Sequence, residues 1–440
     1  MAEKYIISPI EHLLSLDKPS LHMFPGAADW PSKNLTIDQK RLRKRWGYLE
    51  DRDIGENIQL VCLYQENDGT RHTLYLGDGN LYKRETGTDE TWSYRTETDT
   101  YTAKVASISG TTVTFDTGQT PSTNGTADGD YFILDDDITA AQQPSGGDTN
   151  WASIASAADG PPPTITLDDD YTGSTGSFGT SKTAYVRQVY TTPSSTRGKE
   201  RWQVAVVADK FCFTNGDVNV QYWAGSNYAA ALDATYATKA KYCIEYGNRL
   251  CLANIYDGGT AAPWTLRSSA NGDPTKWSTE DTSAVDYTFI ETDDVISGLG
   301  KVGGSLVVYK TESLLIGYKT AKATDPFIFP TQKRGIGCIA PYSIVEVQGT
   351  NMFLGRDDFY MIEGDHPEPI GERIRYKFKE IVSESERENV WGFNNALENE
   401  AIWIANTSEG KFAFVFDYKD REWGAYSYGD NISGAGRGAV

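Results

Sequence analysis

Three stretches of this chain repeat one phrase: a small-residue turn, an alternating apolar strand, a second turn and a second strand. The clearest copy runs from Tyr242 to Ala253 through Gly247-Asn248. It continues through Pro263-Trp264-Thr265-Leu266 to Ser269 and closes on Gly272-Asp273-Pro274-Thr275-Lys276-Trp277. A second copy, without the closing Trp, is Gly303-Gly304-Ser305-Leu306-Val307-Val308-Tyr309-Lys310 followed by Ser313 to Tyr318. The third is Ala401-Ile402-Trp403-Ile404-Ala405, then Phe412 to Tyr418 and Arg421-Glu422-Trp423. Strand–turn–strand units recurring every roughly 40 to 50 residues mark propeller blades, small antiparallel sheets stacked face to face around an axis. The spacing here is looser than that. The phrase still predicts an all-β chain: a β-propeller of about six blades.

Composition supports the reading. Of 440 residues, 26 are Tyr, 11 Trp and 42 Gly, the aromatics suiting half-buried strands and the glycines tight turns. That length implies more than one domain or one large repeat array. Charged residues near the N-terminus (Glu3, Lys4) and no long apolar run after them give no signal-peptide pattern. No stretch approaches the about 20 apolar residues of a membrane helix, so no membrane-spanning segment is expected. The five cysteines (Cys62, Cys212, Cys243, Cys251, Cys338) are odd in number and lack CxxC spacing. Buried free thiols are the expectation, and with them manufacture in a reducing cytoplasm. Net charge is −20, which argues against a protein that grips phosphate backbones.

Along the chain, residues 1–40 read as an irregular N-terminal arm, broken by Pro9, Pro19, Pro25 and Pro31. Residues 41–97 read as the first blade or blades, with Asp68-Gly69 and Asp78-Gly79 as hairpin turns between alternating runs. Composition shifts near Thr98 toward Thr, Ser, Asp and Gly. Residues 98–190 still alternate, as in Ala103 to Ile108 and Thr112 to Phe115, without a blade-like Trp close. They are expected to form an inserted small β-barrel or sandwich. Blade sequence resumes at Arg201-Trp202-Gln203-Val204, so residues 191–430 hold the remaining blades and residues 431–440 a glycine-rich flexible tail.

Few groups are arranged for chemistry. His12, His22, His72 and His366 share no metal-ligand spacing. Gly335-Ile336-Gly337 lacks the third glycine and the helix of a dinucleotide turn, and no GxSxG elbow or P-loop is present. The triplets Asp135-Asp136-Asp137 and Asp168-Asp169-Asp170 lack the register of a calcium loop and read as exposed turns. Propellers do host glycosidases with acids in the axial pocket, and Asp293, Asp294, Asp357 and Asp358 are the candidates for such a pair. The basic run Arg41-Leu42-Arg43-Lys44-Arg45 reads as a solvated strand end. No cofactor or metal is expected.

Three segments carry a family resemblance. Lys33-Asn34-Leu35 followed by Arg43-Lys44-Arg45-Trp46-Gly47-Tyr48 resembles the leading segment of propeller-type tail proteins of short-tailed bacteriophages, apart from Trp46 standing where Pro is expected. Gly335 to Val345 with Met352 to Gly364 is similar to a recurring blade of those proteins, and Gly272 to Trp277 to a blade end. The inserted Trp151 to Gly173 stretch resembles small β-domains attached to such virion proteins. The resemblance covers most of the chain from about residue 30, and its motifs are structural turns rather than catalytic signatures.

What the resemblance implies is a structural virion protein, not an enzyme: a tail hub or nozzle subunit in a homo-oligomeric ring, hexameric by analogy, assembled in the host cytoplasm. The ring sits below the portal and adaptor proteins, beside tail fibres or spikes, and double-stranded DNA passes through without specific binding. A wall of like charge suits that passage. Arg41, Arg43, Lys44 and Arg45 are then assembly contacts rather than lumen residues. The alternative is a glycan-binding or glycoside-hydrolysing propeller. Trp202, Leu250, Leu252, Val307, Phe353, Trp403 and Phe414 fall on apolar strand phases and are expected between blades.

Overall fold

Six sheets, each with four sequential antiparallel strands, follow one another at residues 60–94, 203–231, 239–288, 296–334, 345–369 and 391–426, and the first gains a fifth strand from residues 435–437. They are blades 1 to 6 of a β-propeller. The computed structural model describes residues 35–38, 41–44, 58–77, 81–84, 92–94, 100–122, 131–134, 152–187, 201–426 (save 218, 226–228, 233–238, 258–259, 278–280, 282, 292 and 409) and 435–437.

Tight turns make the blades. Blades 4 and 5 open with two-residue hairpins at Gly303-Gly304 (φ +53° and +84°) and Gln348-Gly349 (φ +49° and +79°). Two central residues in the left-handed region define the turn whose twist matches the flanking strands, and glycine holds that geometry without steric cost. A single exposed sheet would alternate, but a blade is covered on both faces by its neighbours. Strand Ser305–Lys310 accordingly buries every residue from Leu306 to Lys310.

Five apolar clusters fill successive seams. Cys62, Leu74 and Leu76 of blade 1 meet Trp202, Phe211, Phe213 and Trp223. Cys212 and Val207 meet Leu250, Leu252 and Trp277. Cys251 and Leu266 meet Ile296, Leu306 and Val308. Val307 and Tyr309 meet Phe353 and Ile362. Met352 and Phe359 meet Trp403, Phe414 and Trp423. All seven residues expected between blades are buried there. Buried polar groups cross the seams too. The Trp202 indole N–H donates to the Gly77 carbonyl (2.8 Å), the Tyr246 hydroxyl to Gly304 (3.0 Å) and the Trp403 indole to Ser343 (2.8 Å). Short helices α1 (Arg375–Ile381) and α2 (Glu384–Arg387) link blades 5 and 6, and Phe378 and Ile381 of α1 pack into the seam between them.

Between blades 1 and 2 the chain builds a closed six-stranded barrel from strands spanning Thr100–Ser109 to Gly176–Arg187. Its core is its own: Val105, Val113, Phe115, Phe132, Ile154, Ile165 and Val186. Tyr171 seals it, 5.5 Å ring to ring from Phe132, its hydroxyl accepting from the Leu134 N–H.

Two expectations are corrected. Arg41–Lys44 does not open the first blade; it pairs with Leu35–Asp38 in a separate two-stranded sheet beside strand Glu422–Tyr426 of blade 6. A run so rich in charge lacks the apolar positions that both blade faces require. The glycine-rich end is also not simply a tail. Ala435–Arg437 forms a strand parallel to Leu60–Gln65 at the inner edge of blade 1. An edge strand leaves unpaired backbone groups, and side-chain-poor residues can approach it near the axis.

Candidate functional site

The inner edges of all six blades converge around a cavity of about 70 Å³, five through their first strands and blade 5 through the turn that leads into it. Gln59 and Leu60 reach it from blade 1, Gln203 from blade 2, Tyr242 from blade 3, Leu299 from blade 4, Tyr342 from the turn into blade 5, and Trp391 and Phe393 from blade 6. Arg201 lies among them with its guanidinium 4.2 Å from the centre of the Trp391 ring, a cation–π stack. Burial pushes the Arg201 pKa down to about 10, with Tyr342 acting in the opposite direction. It therefore stays charged at neutral pH. The Gln59 side-chain amide oxygen (Oε1) is buried there without a hydrogen-bond partner. Gly298 also borders the cavity, and a Cβ there would overlap Ile344. The cavity is thus narrow, aromatic and cationic.

The carboxylates singled out for glycoside hydrolysis do not line it. Asp294 holds the fully buried Lys310 ammonium at 2.7 Å and accepts from the Ser313 hydroxyl at 2.8 Å. Lys310 also donates to the Phe289 carbonyl, so this pair anchors the corner between blades 3 and 4. Asp358 accepts from the Phe359 N–H (2.8 Å) and faces Arg375 at 3.6 Å, while burial raises its pKa. Asp293 and Asp357 are exposed. Asp294 and Asp358 thus hold local backbone and a buried lysine in place.

The other chemistry-bearing types have equally local roles. His72 is buried against Glu66, stacked on the Tyr64 ring and edge-on to Trp223; His366 is exposed on the outer edge of blade 5. All five cysteines are buried and free. Burial pushes the Cys338 thiol up to about 12 and the Cys251 and Cys212 thiols upward as well. Gly337 lets the chain cross the backbone of Lys310 to Glu312, where a Cβ would collide. Among the described residues no three His, Cys, Asp or Glu converge as a metal site, and no helix is long and apolar enough to cross a membrane.

The basic run is placed in part. Arg41, Arg43 and Lys44 pair in register with Asp38, Thr36 and Leu35, on the hairpin beside blade 6. Arg45, His12, His22 and the triplet Asp135 to Asp137 lie outside the described residues. The axial Arg201–Trp391 stack was not anticipated. Its one sequence signal was Arg201 leading directly into blade sequence, and nothing in it pointed to a Trp far along the chain.

No family profile and no curated protein match the chain. Solved structures similar to it include the extracellular domain of a hybrid two-component system from B. thetaiotaomicron, at 11% identity and TM-score 0.30. That match covers 86% of this chain but only 39% of the other. A catalytically inactive virginiamycin B lyase from Staphylococcus aureus with Quinupristin is 7% identical over 82% of this chain and 96% of that one, with TM-score 0.33. Apo AztD from Citrobacter koseri is 11% identical over 86% and 82%, with TM-score 0.32. The class rests on the sheet topology: a six-bladed β-propeller with an inserted barrel.

Proposed function

We propose that this chain is the repeating subunit of a ring in a short phage tail, a hub or nozzle through which DNA leaves the particle. One observation carries the reading beyond the sequence resemblance. Residues 357–372, the outer half of blade 5 and the turn after it, contain Asp357, Asp358, Glu363, Asp365, Glu368 and Glu372 and no Lys or Arg. Glu363, Asp365 and Glu368 are exposed. Exposed Arg356 borders the stretch and Lys333 lies 3.9 Å from Asp365, so the surface is acidic in excess rather than throughout. Such an excess repels phosphates at short range, and with a Debye length of about 8 Å it does so without blocking passage. The propeller's own axis is too narrow for a duplex, so the passage lies between subunits. The segments that resemble tail proteins fall on the crossing from blade 4 to blade 5, on the second hairpin of blade 5 and on the outer loop of blade 3.

In this reading the portal and adaptor sit above the ring, tail fibres or spikes beside it, and double-stranded DNA slides through without specific binding. Assembly takes place in the host cytoplasm. Arg41, Arg43, Lys44 and Arg45 serve subunit or adaptor contacts. The alternative, a glycan-binding or glycoside-hydrolysing propeller, calls for convergent carboxylates or stacked aromatics in the axial pocket. Among the described residues no carboxylate lines the cavity, which speaks against hydrolysis. Trp391 and Phe393 stack there at 5.9 Å and keep glycan binding as the second reading. Mass measurement and low-resolution imaging of the native assembly test the proposal. A closed ring supports it; a monomer that hydrolyses or retains glycans refutes it.

A further inference from the structure

The axial cavity is suited to a negative charge. Among the described residues that line it, Arg201 is the one charged side chain, and neither Asp nor Glu is present. A cation withdrawn from bulk water is costly unless opposite charge reaches it. Burial lowers the Arg201 pKa only to about 10, so the guanidinium keeps its proton at neutral pH. Its central carbon lies 4.2 Å from the centre of the Trp391 ring. A guanidinium stacked by its face offers its in-plane N–H groups edge-on, the fork that fits a carboxylate. Trp391 and Phe393, two residues apart on one strand, share a face and give the cavity a flat wall.

Gln59 supplies a second polar group. Its backbone N–H donates to the Leu76 carbonyl (2.9 Å), which fixes the residue at the inner edge of blade 1, while its Oε1 is buried without a partner. A buried acceptor with no donor is costly, and a ligand hydroxyl satisfies it. At about 70 Å³, roughly the room of two waters, the cavity takes a carboxylate and the carbon beside it but not a sugar ring. Gln203, Leu299 and Phe393 on its lining are half-buried, so the cavity reaches solvent and the rest of a larger ligand stays outside.

We propose that the axial cavity binds a small hydroxycarboxylate, its carboxylate on the edge of the Arg201 guanidinium and its hydroxyl donating to Gln59 Oε1. One guanidinium balances a monoanion, and a flat wall suits a planar group, so a tetrahedral phosphate dianion fits less well. The same chemistry occurs in a free hydroxy acid and in an acidic sugar at the end of a glycan, whose ring would lie outside the cavity. The proposal does not rest on the ring reading, in which DNA passes between subunits rather than along the propeller axis.

Calorimetric titration of the full chain with glycolate, acetate, inorganic phosphate and methyl glucuronide is the test, with thermal unfolding as the control for folding. Glycolate should bind one per chain, about two- to tenfold tighter than acetate, the increment of one hydrogen bond. Gln59→Leu should erase that preference. Arg201→Gln should abolish binding of both acids, and Arg201→Lys, which keeps the charge without the fork, should weaken it. Where Arg201→Gln lowers the unfolding temperature, Gln59→Leu decides the matter. Methyl glucuronide binding tighter than glycolate assigns the site to acidic glycans, and weaker binding assigns it to free acids. Phosphate binding tighter than either acid, an undiminished preference for glycolate in Gln59→Leu, or no saturable binding of any of the four overturns the proposal. The ring reading, decided by mass and images, stands or falls separately.

Discussion

Trp403 is the sharpest test of the blade register. It is fully buried, 5.0 Å ring to ring from Phe359 and 5.5 Å from Trp423, and it lies where blade 5 meets blade 6. Its indole N–H donates to the carbonyl of the buried Ser343, whose hydroxyl also holds the turn into blade 5 through Ala340 and Leu354. Truncating a fully packed Trp to Ala costs about 3 to 5 kcal/mol. The hydrogen bond left unmade at Ser343, worth about 1 kcal/mol, places Trp403→Ala at the upper end. Trp403→Phe keeps most of the packing and loses the bond, so it should cost about 1 to 2 kcal/mol. Denaturant midpoints with unchanged slope give both values. The barrel has its own core, so two probes are needed to keep its transition separate from that of the propeller. A cost below about 1 kcal/mol for Trp403→Ala would put the side chain at the surface and refute the stacking described here.

Three further outcomes follow from particular groups. With five buried cysteines outside any disulfide, three of them (Cys212, Cys251 and Cys338) with thiol pKa values raised by burial, adding a reductant should leave stability unchanged, and Cys243 and Cys251 should label slowly in the folded chain; a loss of stability on reduction would reveal a disulfide. Burial raises the Asp358 carboxyl, against the Phe359 and Gly371 N–H groups and Arg375, which lower it. Just above the ordinary carboxylate pKa the folded chain then holds a proton that the unfolded chain has lost. Stability of the wild type relative to Asp358→Asn should therefore rise as pH falls through that window, and a fall would show that Arg375 governs the group. Arg43→Glu with Lys44→Glu should weaken ring assembly or adaptor docking in a chain that still folds. Normal assembly with lost affinity for free duplex DNA would make the run a nucleic-acid site.

Much of the fold was legible because blades are local. Gly303-Gly304 and Gly247-Asn248 mark turns, and the strands around them are apolar enough to be covered on both faces, so blades 3, 4 and 6 announce themselves. What closes the propeller was not legible. Ala435–Arg437 joins blade 1 across almost the whole chain, and a three-residue strand among glycines has no periodicity to detect. The axial site was hidden for the same reason. Arg201 and Trp391 are joined by geometry alone, and a cation over an aromatic face imposes no spacing on the sequence. The acidic pairs misled in the opposite direction. Asp293-Asp294 and Asp357-Asp358 look alike as dipeptides, yet Asp294 neutralises a buried lysine and Asp358 caps a strand, work that requires burial rather than a shared substrate.

The central claim is that these propellers stand in a closed ring whose lumen is walled by blade 5. Imaging the native assembly at a resolution that separates protomers, with its mass measured in parallel, addresses the claim directly. The account predicts a closed ring, six copies by analogy, with solid propeller axes and Glu363, Asp365 and Glu368 facing a common channel. A monomer, or a ring whose channel is lined by basic side chains, would contradict it.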